Sequence, residues 1–238
     1  MLFRIPQVLN LAELASIREI LAVAEFVDGK LTAGWHAKAV KHNQQLKTAL
    51  PEAQDLKHKV HSAFVRHPLF QAAVRPRSIH TILFSRYDEG MSYGRHTDNA
   101  LMSGQDFHRS DVSFTLFLNA PNEYDGGELV IEGADDEQTY KLEAGMAIVY
   151  PSSSLHRVQP VTRGQRWVAV GWVQSLVRDP AQREILFDLE TTRRSLFAQS
   201  GKTDEFDLIS KTLSNLLRMW PTSVGRLELL TPRSLYPC

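Results

Sequence analysis

His96-Thr97-Asp98, followed far downstream by His156 and then Arg166, is a set of residues that can do chemistry. Two imidazoles and one carboxylate suit Fe(II) and leave coordination positions open for further ligands. On a β-strand, residues i and i+2 project from one face, so His96 and Asp98 can bite one ion while Thr97 points away. His156 must then come from a distant strand brought alongside. The guanidinium of Arg166 offers a fixed planar fork that matches a carboxylate.

An H-x-D triplet arises by chance in many chains, and its weight comes from its surroundings. The stretch between Asp98 and His156 holds several short strands, enough to cross a sandwich and return. Thr162-Arg163-Gly164-Gln165 reads as a hairpin turn between strands at Leu155–Val158 and Arg166–Val173. In such a hairpin Arg166 sits near the turn and His156 about 10–14 Å away along the strands. A five-carbon dicarboxylate chelating the metal would present its far end into that gap. The competing reading makes Arg166 a surface residue of a polar turn. The other histidines carry less: His58 and His61 fall on an exposed helix face, and His36, His42, His67 and His80 have no ligand-spaced partner. His108 lies in the polar stretch Asn99–Asp111, which could cover the site.

The elements that must position these groups change character along the chain. Asn10 and Glu13 form a capping-box pattern, with Leu11, Leu14, Ile17, Leu21 and Ala24 at helical spacing. Trp35–Ala39 is irregular, Glu52–Arg66 is helical with Leu56, Val60 and Phe64 on one face, and Pro68 is read as its end. A β-like segment begins at Ile82 and Phe84. Val112, Phe114, Leu116 and Leu118 then alternate with Ser113, Thr115 and Phe117. Asp125-Gly126-Gly127 signals a turn before Leu129 and Ile131, and Ala147–Tyr150 stops at Pro151. Many short strands with Gly/Pro/Asn turns point to a sandwich or barrel rather than a βαβ fold. Asp179 and Pro180 open a helix with Ile185, Leu189, Leu196 and Phe197 as its stripe. Thr203 opens another carrying Phe206, Ile209, Leu213, Leu216 and Trp220, closed by Pro221. The division is a helical support region at 1–78, a β core at 79–178 and a C-terminal helical extension at 179–238 packed on the core.

Composition is that of an ordinary folded protein: 238 residues, 43% apolar, 23% charged, with 27 basic and 27 acidic side chains. The balanced charge gives no global field toward nucleic acid or an anionic membrane. Cys238 is the one cysteine, which excludes an intrachain disulfide and thiolate metal clusters. No apolar run approaches the roughly 20 residues of a membrane helix, and Met1–Leu11 lacks a secretory core, so a cytoplasmic location is expected.

Tyr87-Asp88-Glu89-Gly90-Met91-Ser92-Tyr93-Gly94-Arg95-His96-Thr97-Asp98 resembles the strand entering the site in Fe(II)/2-oxoglutarate dioxygenases of prolyl-4-hydroxylase type. Phe114–Asn119 with Gly126-Gly127-Glu128-Leu129 resembles their central strand and turn. His156–Val161 with Gly164–Trp167 resembles the third ligand and the basic oxoglutarate-binding residue. The whole chain resembles the bacterial PKHD-type hydroxylases, a group associated with iron uptake. The match of the core spans about Ile79–Val173.

The resemblance implies an α+β chain whose mainly β core is a double-stranded β-helix, or jelly roll, with helical N- and C-terminal parts. It implies His96, Asp98 and His156 as iron ligands, Arg166 as partner of the distal oxoglutarate carboxylate, and Tyr87 as a second group on that carboxylate. Tyr93, Thr115 and Trp172 could line the pocket or simply pack in the core. The implied reaction consumes O2 and 2-oxoglutarate, releases succinate and CO2, and hydroxylates an unactivated C–H. Ascorbate dependence follows from the family, and the iron centre leaves no separate acid or base to predict. Three other readings compete: a cupin-like metalloenzyme without oxoglutarate, a non-catalytic iron-binding or iron-sensing protein, and a binding module with a degenerate site. The substrate class stays open between a free or peptidyl amino acid and a siderophore-like small molecule. Its selection would fall to Asn99–Asp111 and Thr32–Lys47. The stripes of the C-terminal helices could serve an interface between copies instead of the core.

Overall fold

Local chemistry starts the chain's first helix where its sequence says it should. The Asn10 side chain accepts from Glu13 N at 2.9 Å, and the Glu13 carboxylate accepts from Asn10 N at 3.0 Å. The computed structural model describes residues 2–48, 50–102 and 107–220; Pro221, Cys238 and positions 103–106 of the polar loop lie outside the described residues. The helices are α1 (Leu11–Val23), α2 (Pro51–Arg66), α3 (Pro68–Val74), α4 (Pro180–Ser200) and α5 (Asp204–Met219). On α1, Leu14, Ile17 and Leu21 are buried, whereas Leu11, counted in the expected stripe, is 86% exposed at the helix start.

The strands up to the metal triplet are β1 (Phe3–Ile5), β2 (Phe26–Asp28), β3 (Lys41–His42), β4 (Gln44–Leu46), β5 (Pro76–Tyr87) and β6 (Ser92–His96). Next come β7 (Leu101–Met102), β8 (His108–Arg109), β9 (Val112–Phe117), β10 (Tyr124–Gly126) and β11 (Leu129–Glu132). The last are β12 (Glu137–Tyr140), β13 (Ala147–Pro151), β14 (His156–Val158), β15 (Val161–Gly164) and β16 (Arg166–Ser175). A seven-stranded antiparallel sheet runs β1-β13-β9-β16-β5-β4-β2, and a five-stranded sheet runs β12-β11-β14-β6-β3.

Alternation along the larger sheet explains its place in the middle. Ile82, Phe84, Phe114, Leu116, Ala147, Val149 and Ala169 pack with Leu14, Ile17, Leu56, Val60, Phe64 and Phe70 of the helices. The Phe64 ring lies 4.3 Å from Phe114 and 4.7 Å from Phe70 between centroids. Each such buried ring contributes about 1.5–3 kcal/mol. Tyr87, Phe117, Ile148, Tyr150 and Val168 point the other way, onto Leu129, Ile131, Val158 and Val161. Because both faces are covered, every residue of β9 is buried. Helices thus back one sheet, and its other face meets the second sheet around the site.

Four sequence expectations are corrected. The segment Leu155–Val173 is no hairpin: β14 pairs with β11 and β6, β15 with β10, and β16 with β5 and β9. Gly164, at φ +73°, lets the chain leave β15 and enter the opposite sheet at Arg166. Pro68 does not simply end the preceding helix; it stands at the first position of α3, with His67 as cap. On α4 the buried face is Arg183, Leu186 and Glu190, while Ile185 and Phe197 are 47% and 53% exposed. Asp98 follows β6 rather than lying in it. Cap signals at the C-terminal helices hold: Asp179 accepts from Ala181 N and Gln182 N, and Thr203 from Phe206 N. Among the described residues no helix is long and apolar enough to cross a membrane.

Candidate active site

His96 ends β6 and faces His156, which begins β14, as a registered cross-strand pair. Asp98, two residues past the strand end, completes a group whose ligand atoms lie within 4.8 Å of one another. His156 Nε2 is 3.9 Å from Asp98 Oδ2. Each imidazole has its Nδ1 tied to a backbone carbonyl: His96 to Gly94 O at 2.8 Å and His156 to Ser154 O at 3.0 Å. With Nδ1–H donating there, both Nε2 lone pairs are left for a metal. Burial, reinforced by His156, lowers the His96 imidazole to about 4, so it is neutral and ligand-ready at pH 7. Ser113 Oγ donates to Asp98 Oδ2 at 2.6 Å and lies 2.8 Å from Ser152 Oγ. Neither serine carried any motif in the sequence. Only their placement, on β9 and just after β13, brings them to the carboxylate.

The triad opens into a cavity of about 350 Å³ between the two sheets. The expected residues Tyr87, Tyr93, Thr115, Arg166 and Trp172 all line it, together with Tyr150, which the sequence did not single out. Tyr93 stacks on His96 at 3.7 Å between centroids, and Tyr150 meets His156 edge-on at 5.1 Å. Burial raises both phenols, Tyr150 far above its ordinary value, so they remain protonated hydrogen-bond donors.

Arg166 enters from the sheet opposite the triad. It is 1% exposed, its Cζ is 5.0 Å from the Tyr87 ring centroid and 5.6 Å from that of Phe117, and its Nε has no partner among the described residues. No carboxylate pairs with it among the described residues. A buried guanidinium without a counter-charge is costly, and an anion entering the cavity would relieve that cost. Gly127, at φ +68°, makes room for it: a Cβ there would lie 3.0 Å from Arg166 Cδ.

The side of the cavity between the sheets is closed by Lys41, Asn43 and Gln45, all buried. Burial pulls the Lys41 ammonium down to about 8 against the attraction of Asp98 and Asp28, which leaves it charged at neutral pH. This wall falls within Thr32–Lys47, the segment expected to take part in substrate selection, although the sequence singled out none of these three side chains. Of the polar loop, Asn99, Leu101 and Met102 reach the cavity, whereas His108 does not line it; it stacks on His80 at 5.3 Å instead.

Two imidazoles and one carboxylate, beside a buried cation that lacks a carboxylate partner among the described residues, are a donor set that Fe(II) and a dicarboxylate fit. Known proteins agree. Residues 82–174 match the 2OG-Fe(II) oxygenase superfamily. A PKHD-type hydroxylase of Picosynechococcus sp. is 66% identical over 220 residues, covering 92% of this chain and 99% of that protein. Among solved structures, a prolyl hydroxylase from Trichoplax adhaerens, in complex with a hypoxia inducible factor peptide fragment, has a TM-score of 0.55 at 12% identity. It covers 72% of this chain and 83% of that one. HygX from Streptomyces hygroscopicus, with nickel and 2-oxoglutarate bound, has a TM-score of 0.52 at 13% identity, covering 74% and 84%. These two likenesses speak for the fold, a double-stranded β-helix. The identity that extends through the helical N-terminal part decides the rest: this chain belongs to the PKHD-type hydroxylases of the 2OG-Fe(II) oxygenase superfamily.

Proposed function

We propose that His96, Asp98 and His156 hold Fe(II), that Arg166 and Tyr87 hold the far carboxylate of 2-oxoglutarate, and that the enzyme hydroxylates an unactivated C–H of a small or peptidyl substrate. Iron held there supplies the oxidising chemistry, in which one O2 is consumed, oxoglutarate becomes succinate and CO2, and the substrate gains one oxygen. Ascorbate would serve to keep the iron reduced. The protein's own part is orientation. Gly94 and Ser154 carbonyls fix the two imidazoles, and Ser113 fixes the carboxylate. Apolar walls at Leu83, Leu129, Val158 and Val170 limit water around the reacting centre.

The observation that carries this reading is Arg166, buried without a carboxylate partner among the described residues in the same cavity as the triad. Anaerobic titration of oxoglutarate into the Fe(II) protein tests it. A metal-to-ligand charge-transfer band should grow in, and succinate should form once O2 is admitted. His96→Ala, Asp98→Ala and His156→Ala should each lose the band and most of the bound metal. A wild-type protein that binds iron yet gives neither band nor succinate would overturn the assignment.

A further inference from the structure

Residues 41–46 cross from one sheet to the other. Lys41 pairs with Tyr93 at the edge of the five-stranded sheet, and Gln45 pairs with Ser85 in the seven-stranded sheet. This crossing lies outside the span 82–174 shared with the superfamily. Its inward side chains are Lys41, Asn43 and Gln45, at 5%, 3% and 3% exposure.

Gln45 is spoken for: its Oε1 accepts from the Thr32 hydroxyl, and its Nε2 donates to Ser85 Oγ at 3.3 Å. The other two are not. Neither amide atom of Asn43 has a partner of full hydrogen-bond geometry among the described residues, although the Tyr87 hydroxyl lies near enough to feel it. Lys41 Nζ donates to Thr32 Oγ1 at 3.2 Å and lies 5.2 Å from the Tyr93 ring centroid. An ammonium carries three donors, and Lys41 forms neither an ion pair nor a second hydrogen bond among the described residues. The Tyr93 ring that it approaches is the one stacked on His96, so the cation stands one ring away from the triad. The cavity thus holds two cations, Arg166 from the seven-stranded sheet and Lys41 from the edge of the five-stranded sheet. Oxoglutarate, chelated at one end and clamped by Arg166 at the other, answers only the first.

Resting on the cosubstrate reading above, we infer that Lys41 binds a carboxylate of the substrate itself, and that the enzyme acts on a small carboxylate-bearing molecule or a peptide C-terminus. The ammonium would fix the acid group beside the metal, which places a nearby C–H over the open coordination positions. The Asn43 amide, which also reaches the Tyr87 hydroxyl, offers a neutral hydrogen bond to the same ligand. A substrate lacking the acid would leave Lys41 with only the Thr32 hydroxyl and the more distant Asp98 and Asp28 carboxylates, which is how the site discriminates.

The test is calorimetric titration of the anaerobic Fe(II) enzyme, saturated with oxoglutarate, with acetate, glycine and N-acetylglycine, each compared with its amide. At least one carboxylate should bind saturably, with its amide weaker by about tenfold or more. Lys41→Met should weaken that carboxylate by about tenfold, and Lys41→Arg should restore most of the loss because the charge remains. Absence of binding by all three acids, equal binding of acids and amides, or unchanged affinity in Lys41→Met overturns the inference. So does Lys41→Met weakening oxoglutarate as much as the probe, which would give the lysine to the cosubstrate. The acid-against-amide comparison on the wild-type enzyme decides even if the variants fold poorly. The charge-transfer band, recorded in parallel, separates the two claims: its absence sinks the cosubstrate reading, whereas an intact band without probe binding sinks this one.

Discussion

Arg166 and Tyr87 are direct cross-strand partners, opening β16 and closing β5, and the guanidinium lies 5.0 Å from the phenol ring. The pair places a cation and a hydroxyl-bearing ring at one end of the cavity, on the sheet facing the metal triad. Arg166→Ala should therefore weaken oxoglutarate binding while leaving Fe(II) binding intact. Loss of a charge-assisted hydrogen bond to a buried carboxylate costs about 1.5–3 kcal/mol, or roughly ten- to a hundredfold in affinity. Arg166→Lys should recover part of it, since the charge survives and the fork does not. Oxoglutarate titrations of the anaerobic Fe(II) variants measure this directly. An unchanged dissociation constant in Arg166→Ala would remove the anion from this residue.

Ser113 makes a separate prediction about the other end. Its hydroxyl holds Asp98 Oδ2 at 2.6 Å, so Ser113→Ala frees the carboxylate to rotate. Loss of an orienting partner typically lowers metal affinity about ten- to a hundredfold. Competition against a metal chelator reads the change. Ser113→Thr, which keeps the hydroxyl, should stay closer to wild type.

The C-terminal helices should matter to stability rather than to ligand binding. Leu186 is fully buried, α4 packs on α3, and Phe187 meets Phe3 at 4.5 Å between centroids. Leu186→Ala should cost about 2–5 kcal/mol. Denaturant unfolding should show the loss, with oxoglutarate affinity of the folded protein unaltered. A stability equal to wild type would mean that α4 is only loosely attached.

What could be read in the sequence was what local physics writes there. The Asn10–Glu13 box and the Asp179-Pro180 start need only neighbouring residues, and the metal triad is legible once the strand and turn signals around its H-x-D triplet are read with it. Long-range partners are another matter. The Thr162–Gln165 segment has turn chemistry whether the following strand folds back or, as happens, crosses to the other sheet, so the position of Arg166 relative to His156 was misjudged. The α4 stripe was misread because its buried face includes Arg183, whose Nη1 donates to Val177 O and Arg178 O at 2.8 Å, and Glu190, which pairs with Arg193 and Arg194. Buried polar groups that satisfy each other erase the apolar periodicity on which such readings depend. Lys41 and Asn43 fall within the Thr32–Lys47 segment named for substrate selection, but their residue types alone do not say which of its side chains turn inward.

His80 supplies a pH signature away from the metal. Its ring stacks on His108, and burial, helped by His108, lowers it to about 4 against the opposing pull of the Arg109 backbone. In the unfolded chain the same imidazole titrates near 6.5. Between these values the unfolded state binds the proton that the folded state refuses, so stability falls as pH drops from about 6.5 to about 4 and levels off below. Above 6.5 both states are neutral and His80 contributes no pH dependence. His80→Phe keeps a flat ring against His108 and removes the titration, so the variant should lose less stability than wild type across that window and match its slope above it. Denaturant unfolding at pH 7.5, 6, 5 and 4 compares the two. Parallel curves through the acid window would mean that His80 accepts its proton in the folded protein, with a water or a moved side chain answering it.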